Sequence, residues 1–512
     1  MRWILILAAL MGARHHIAGQ NFFSDNIDLL GYSDAAWQIA EKDGNYYILT
    51  ASYCDLSPYS CTGLMRLSDN FSMVWKNTIE ITRIDRFTSM AVTDSCIYVG
   101  CRLLQPTDTL EITVLKFDFD GNILAQWYYG SRWANISYGI SPAHDGGFVF
   151  LFDEVPPTGW ITGKTYVARC NALGDVLWQK SLTGTSDVFS IHAAPDSTYV
   201  VGNIGHEKID NNKYRTSGFV LKIDDDGNEV FRVVRDTSET IFQGNTFATY
   251  TKDGGAVFSR LREAPPGVWE RQVIYRVDKT GNQLWEYDYP AQDYHRIWSI
   301  KEMRNGDILA VGFNENHPFI DTTEEYKRYW GGWLIRLSPA GEKRWERIIG
   351  DLRYPSGEFG DILDVVEASD GSLVAVGTIL DTFPNGIPAP YNRDVWLLHL
   401  DSMGCVQPGC TGVFQGITDI TKVFNLTKEA IDFVVSPNPA EDWISVSLPE
   451  GINVNGLAIT LTDLTGRIRF ETNWPRGQNT YSLNVASLPT GVYLLTLRDQ
   501  SHIGTKKIFI QN

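Results

Sequence analysis

The chain of 512 residues carries a formal net charge of -17, with 12% aromatic and 21% charged residues. The negative charge excludes a nucleic-acid phosphate backbone as a natural partner, and the low charged fraction with abundant aromatics excludes disorder. The length suits two or three domains, or one large repeat fold with an appendage.

Residues 1–20, MRWILILAALMGARHHIAGQ, read as a signal peptide. Arg2 is the positive start, Trp3 to Met11 the short apolar run, and Ala18-Gly19 the small residues for cleavage. That run is too short to span a bilayer as a helix, and no later segment is long enough. Export implies an oxidising compartment, where Cys54 with Cys61 and Cys405 with Cys410 suit two local disulfides. Cys96 and Cys101 fall on opposite faces of one strand, which argues against a bond between them. Cys170 reads as a small buried hydrophobe.

Residues 21–410 repeat. Asp43-Gly44-Asn45, Asp94-Ser95, Asp145-Gly146-Gly147, Asp196-Ser197, Asp253-Gly254-Gly255, Asn305-Gly306-Asp307 and Asp370-Gly371-Ser372 each precede a β-branched or aromatic run. Their first positions lie 51, 51, 51, 57, 52 and 65 residues apart. A period near fifty filled with short strands predicts a propeller. Asp-Gly supplies the positive φ that a tight hairpin requires. A second motif, apolar-basic-apolar-Asp with Gly three residues on, is clearest at Leu221 to Gly227 and Tyr275 to Gly281. The first repeat has Phe71 at that Gly position. An aromatic follows seven residues after the acidic position at Trp75, Trp178, Phe231, Trp285 and Trp345, with Trp127 two residues late. These rings are expected to pack between neighbouring units.

Each unit thus holds four strands, A to D, and seven units predict a seven-bladed β-propeller. The last unit lacks strand D. Ile27-Asp28-Leu29-Leu30-Gly31 resembles Arg347-Ile348-Ile349-Gly350 and is expected to close the ring, which removes two exposed sheet edges. The A–B and C–D turns are tight. The B–C connections are long and unlike one another, as at 205–217, 260–271 and 314–331, and they leave the same face as the D–A connections. That face is the expected binding surface. Its aromatic candidates are Trp133, Trp160, Tyr214, Trp269, Tyr329, Trp330 and Tyr391, which suit a glycan or protein ligand.

Residues 411–431 read as a linker and 432–512 as a small β-sandwich. VSPNPAEDWISV, LTDLTGR, LPTGVYLLTL and the terminal KKIFIQ follow one another in that order. In this the segment resembles the C-terminal sorting domains (type A) of the type IX secretion system, which are small immunoglobulin-like sandwiches. The resemblance marks Pro437, Asn438, Pro439, Asp463, Gly466, Arg467, Gly491, Tyr493, Lys506 and Lys507 as motif positions. It implies passage to the periplasm, transport through the outer membrane of a Gram-negative bacterium, and handling by the secretion machinery and a surface sortase. The expected location is the secreted fraction or the extracellular face of the outer membrane.

No chemistry is legible. Gly-x-Ser-x-Gly, HExxH and Walker sequences are absent, and no metal site or cofactor is expected. Asp118-Phe119-Asp120-Gly121 and Asp224-Asp225-Asp226-Gly227 look calcium-like, yet lack the alternating oxygens and distal Glu of an EF-hand loop. The reading that follows is a non-enzymatic binding or adhesion protein. The alternative is a secreted glycan lyase or hydrolase using carboxylates such as Asp187, Glu358 and Asp361.

Overall fold

A computed structural model of the chain describes residues 23–511, except 29–33, 54–59, 81–87, 105–109, 130–133, 155–163, 183–184, 211–212, 239–245, 263–270, 290–293, 316–329, 352–359, 383–387, 418–422, 426–428, 431–432, 450–456, 464–467, 476–477 and 499–501. The signal segment, Cys54, Trp133, Trp160, Trp269 and Tyr329 lie outside the described residues. For Cys61, Tyr214, Trp330 and Tyr391 only the backbone is described, within strands.

Every regular element among the described residues is a strand. Blade 1 comprises Asp34–Lys42, Asn45–Tyr53, Ser60–Leu67 and Met73–Glu80, each paired antiparallel with the next. Blades 2 to 6 repeat this order, with innermost strands Ser89–Val92, Ala134–Pro142, Thr185–Ala194, Ala248–Tyr250 and Tyr294–Glu302. Blade 7 begins with Gly360–Glu367 and takes its fourth strand from the N-terminal side of the chain. That strand is Phe23–Asp28, antiparallel to Pro388–Leu400 with Ile27 opposite Val395. The fold is therefore a seven-bladed β-propeller closed by its N-terminal segment. Closure comes earlier than the sequence match suggests: Ile27 takes the position opposite Val395 that Ile349 holds opposite Gly332 in blade 6. Residues 29–31 lie outside the described residues.

The repeat motifs explain how blades lock together. The glycine of each Asp-x-x-Gly turn has positive φ and lies against the aromatic of the preceding blade. A Cβ on Gly174 would meet the Trp127 ring, and one on Gly404 would meet Trp345. The Nε1 groups of Trp75, Trp178 and Trp285 donate to backbone oxygens of Phe119, Asp225 and Pro339 in the next blade, at 3.0, 2.8 and 2.9 Å. The first repeat breaks the rule in both halves. Phe71 adopts φ +62 in place of glycine and packs 4.7 Å from His399, and Phe23 takes the register position opposite His399 that Trp75 takes opposite Arg66.

The basic residue of strand C performs a second linkage. Arg169 is buried between Asp145 of its own first turn (2.7 Å) and Asp225 of the next blade (3.1 Å). Lys222 joins Asp196 to the Gly254 carbonyl, and Arg336 joins Asp307 to the Ser402 carbonyl. A buried cation is tolerable only when so paired. Asp118 and Asp224 accept from the backbone N–H of Asn122 and Asn228, at 2.8 and 2.7 Å, and so hold their own turns.

Two expectations change. Residues 205–217 are largely a hairpin extension: Thr198–Asp210 and Lys213–Asp224 pair as far as Asp210 opposite Lys213. Within 411–431, Phe414–Ile417 adds a parallel fifth strand to blade 6, and Val423–Asn425 adds one to blade 7. The Cys405–Cys410 disulfide, with Cα atoms 5.8 Å apart, precedes them. Gln415 fixes that corner by accepting from Val406 N and donating to Gly404 O, both at 2.9 Å. Cys96, Cys101 and Cys170 are free thiols and buried.

The C-terminal sandwich packs Val434–Ser436, Trp443–Ser447 and Thr480–Asn484 against a sheet built on Ala458–Asp463, Gly491–Arg498 and His502–Ile510. Alternation along each strand supplies the core. Ile444, Val446 and Leu483 from one sheet meet Leu461, Leu495 and Ile508 from the other.

Candidate functional site

The described residues offer two places where polar side chains converge: the axial channel of the propeller, and the last strand of the sandwich.

The channel encloses about 240 Å³ and is lined by the innermost strands of all seven blades, with Thr88 and Phe247 added just before the strands of blades 2 and 5. Its polar side chains first stitch neighbouring blades. Gln38 accepts from Met90 N (2.5 Å), Ser141 from Ala193 N (2.7 Å) and Ser190 from Ala248 N (2.9 Å). Asp364 is the centre of the largest group. Its Oδ1 lies 2.7 Å from both Lys301 Nζ and Ser299 Oγ, and its Oδ2 accepts from Ile39 N at 3.0 Å. One carboxylate thus joins blades 6, 7 and 1 at the ring closure. His192 faces this pair, half-buried. Loss of hydration pushes its pKa down to about 4. The Lys301 charge adds to that effect and Asp364 opposes it.

Aromatic residues reach the channel through bulges. The ladder shifts register between Ala36 and Gln38, and between Ile297 and Ser299. Trp37 and Trp298 are the extra residues, and a bulge re-aims the side chain it carries. Both rings are half-buried, and neither Nε1 has a hydrogen-bond partner among the described residues. Phe247 meets Trp298 edge-on at 6.2 Å, and the Arg296 guanidinium lies 5.5 Å from the Trp298 ring. The sequence carries a signal for this lining: Trp37-Gln38-Ile39, Tyr138-Gly139-Ile140, Phe189-Ser190-Ile191 and Trp298-Ser299-Ile300 repeat as aromatic, small or polar, isoleucine. Of the aromatic residues expected to form a ligand face, Trp133, Trp160, Trp269 and Tyr329 lie outside the described residues, and Tyr214, Trp330 and Tyr391 are described by backbone alone, within strands. Of the carboxylates considered for catalysis, Asp361 lies 4.0 Å from Arg393, and the side chains of Asp187 and Glu358 lie outside the described residues. Among the described residues no group of three or more His, Cys, Asp or Glu could hold a metal ion.

In the sandwich, Asn438 sits between Pro437 and Pro439 and grips the terminal strand. Its Nδ2 donates to Lys507 O at 3.0 Å, and its Oδ1 accepts from Phe509 N at 2.8 Å. Ala440 N donates to Phe509 O, and Gln511 N donates to Ala440 O, both at 2.8 Å. The amide therefore acts as a short strand pairing with the edge of His502–Ile510, next to prolines that cannot donate there. Tyr493 donates to Pro489 O at 2.8 Å, across the turn that holds Gly491. Lys506 and Lys507 lie 5.8 and 5.2 Å from the rings of Phe433 and Phe509. Asp463 ends its strand opposite Tyr493, while Gly466 and Arg467 lie outside the described residues.

Comparison with known proteins addresses the second place. Residues 434–511 match the family described as "Secretion system C-terminal sorting domain". No curated protein matches the chain. Among solved structures, the β-propeller domain of the Trilobed protease from Pyrococcus furiosus shares 10% identity at a TM-score of 0.40, over 75% of this chain and 100% of that one. Streptogramin B lyase shares 13% at 0.38, over 74% and 98%. Phage phi92 endosialidase shares 11% at 0.42, over 96% and 89%. The chain carries a secretion-system C-terminal sorting domain over residues 434–511, behind a seven-bladed β-propeller.

Proposed function

We propose that the type IX secretion system exports this protein to the outside of a Gram-negative cell, where the propeller works as a binding or adhesion module for a glycan or a protein. The match of residues 434–511 to the sorting family carries the reading. The propeller supports the binding part. The buried strand-C cations Arg169, Lys222 and Arg336 are held in pairs between blades, which leaves the rim and the channel as the places for a ligand. In this reading residues 1–20 are cleaved, the sandwich is the address, and a surface sortase acts on it. The test compares the full chain with one lacking 434–511, both tagged between residues 155 and 163, by surface proteolysis and fractionation. The full chain is expected at the surface and the shortened one in the periplasm. Surface display of the shortened chain would overturn the proposal.

A further inference from the structure

We propose that the axial channel is a binding site for a single neutral sugar ring, held against an aromatic arc of Trp37, Phe247 and Trp298. The inference rests on the binding-module reading and gives that module a site and a ligand class.

The described channel wall has an aromatic part and a polar part. Among the described residues, blades 5, 6 and 1 contribute aromatic rings, and blades 3 and 4 contribute Gly139, Ser141, Ser190 and His192 beside Ile140, Pro142 and Ile191. A pyranose has the matching shape, with apolar C–H faces and hydroxyl edges. Half-buried indole rings offer a face for the first, and serine hydroxyls and the His192 imidazole offer partners for the second. Size sets the length of the ligand. About 240 Å³ falls below the roughly 300 Å³ at which drug-sized sites begin, so one ring fits and an oligosaccharide does not.

Charge decides between neutral and ionic sugars. Among the described residues the channel's ionisable lining consists of Lys301, Asp364 and His192. Lys301 is already paired with Asp364 at 2.7 Å and donates to Val365 O at 2.7 Å, so no free cation awaits a carboxylate. Both Asp364 oxygens are likewise already engaged, Oδ1 by Lys301 and Ser299 and Oδ2 by Ile39 N. The net charge of -17 further opposes an anionic ligand. The ring is either a free monosaccharide or the terminal unit of a glycan chain.

The full-length protein is titrated calorimetrically with neutral hexoses, N-acetylhexosamines, hexuronic acids and oligosaccharides ending in each neutral sugar. The same titrations use Trp37→Ala, Trp298→Ala and His192→Trp. The last variant fills the channel and leaves the arc intact, so it still tests the site if an alanine variant fails to fold. Saturable binding of at least one neutral sugar is expected, about tenfold weaker in either alanine variant and blocked in His192→Trp. Binding of the free sugar identifies a monosaccharide site, and tighter binding of the oligosaccharide identifies a chain end. Binding unchanged by all three substitutions, or a preference for the uronic acid, overturns the channel site and leaves the module standing. A protein that binds neither sugars nor host or bacterial surface extracts overturns both.

Discussion

His192 faces the channel one position beyond the buried Ile191, within the field of Lys301 and Asp364. Its folded pKa of about 4 lies below the roughly 6.5 of a free imidazole. Above pH 6.5 the ring is neutral in both states, and its contribution to stability is complete. As pH falls below 6.5 the unfolded chain takes up a proton that the folded chain refuses, so stability drains away until the folded ring also protonates near pH 4. The unfolding temperature should therefore fall between pH 7 and pH 4.5 by more in the wild type than in His192→Gln. Parallel curves for the two proteins would rule this out. Asn438 shows a different use of one side chain. The sequence marks it only as the centre of a proline-flanked motif, whereas the structure gives it two hydrogen bonds to a strand about seventy residues further on.

Between blades, the same glycine serves two purposes that substitution can separate. Gly174 has φ +87, and a Cβ there would fall within 2.5 Å of three Trp127 ring atoms. Gly371 has φ +86 with nothing within 4 Å. Gly371→Ala should cost only the backbone strain, about 1 kcal/mol. Gly174→Ala adds displacement of Trp127 and should cost about 2–4 kcal/mol. Thermal unfolding of both variants checks the order, and equal losses would remove the aromatic interlock from the account. Turns of this kind were legible because their chemistry is local: Asp-Gly and Asp-x-x-Gly announce themselves within four residues. The part played by Arg169 was not, because its second partner, Asp225, lies 56 residues away in the next blade. The fifth strand at Phe414–Ile417 was hidden for a similar reason. It is four residues long and exists only because the edge of blade 6 accepts it. The sequence reading did not single out Trp37 and Trp298, because only the bulges that carry them bring their rings to the channel.

A ring of blades contacts only nearest neighbours, so its integrity depends on the joint where chain ends meet. Here that joint is made twice. At the outer side, Phe23–Asp28 pairs with Pro388–Leu400. At the axis, Asp364 of blade 7 holds Ser299 and Lys301 of blade 6 and the backbone of Ile39 in blade 1. Asp364→Ala would leave Lys301 unpaired and the Ile39 N–H without an acceptor. Because the carboxylate is almost fully buried while Lys301 retains some water contact, the loss should fall at the low end of that for a broken buried pair, about 3 kcal/mol. Unpaired charge, and not lost attraction, should dominate that cost. Lys301→Met combined with Asp364→Leu should then recover part of the stability that Asp364→Ala removes, since it leaves no lone cation beside the axis. Thermal unfolding, with limited proteolysis at the joint, distinguishes the cases. A double variant no more stable than Asp364→Ala would mean that the hydrogen bond to Ile39, which both variants lack, carries the closure instead of the charge balance.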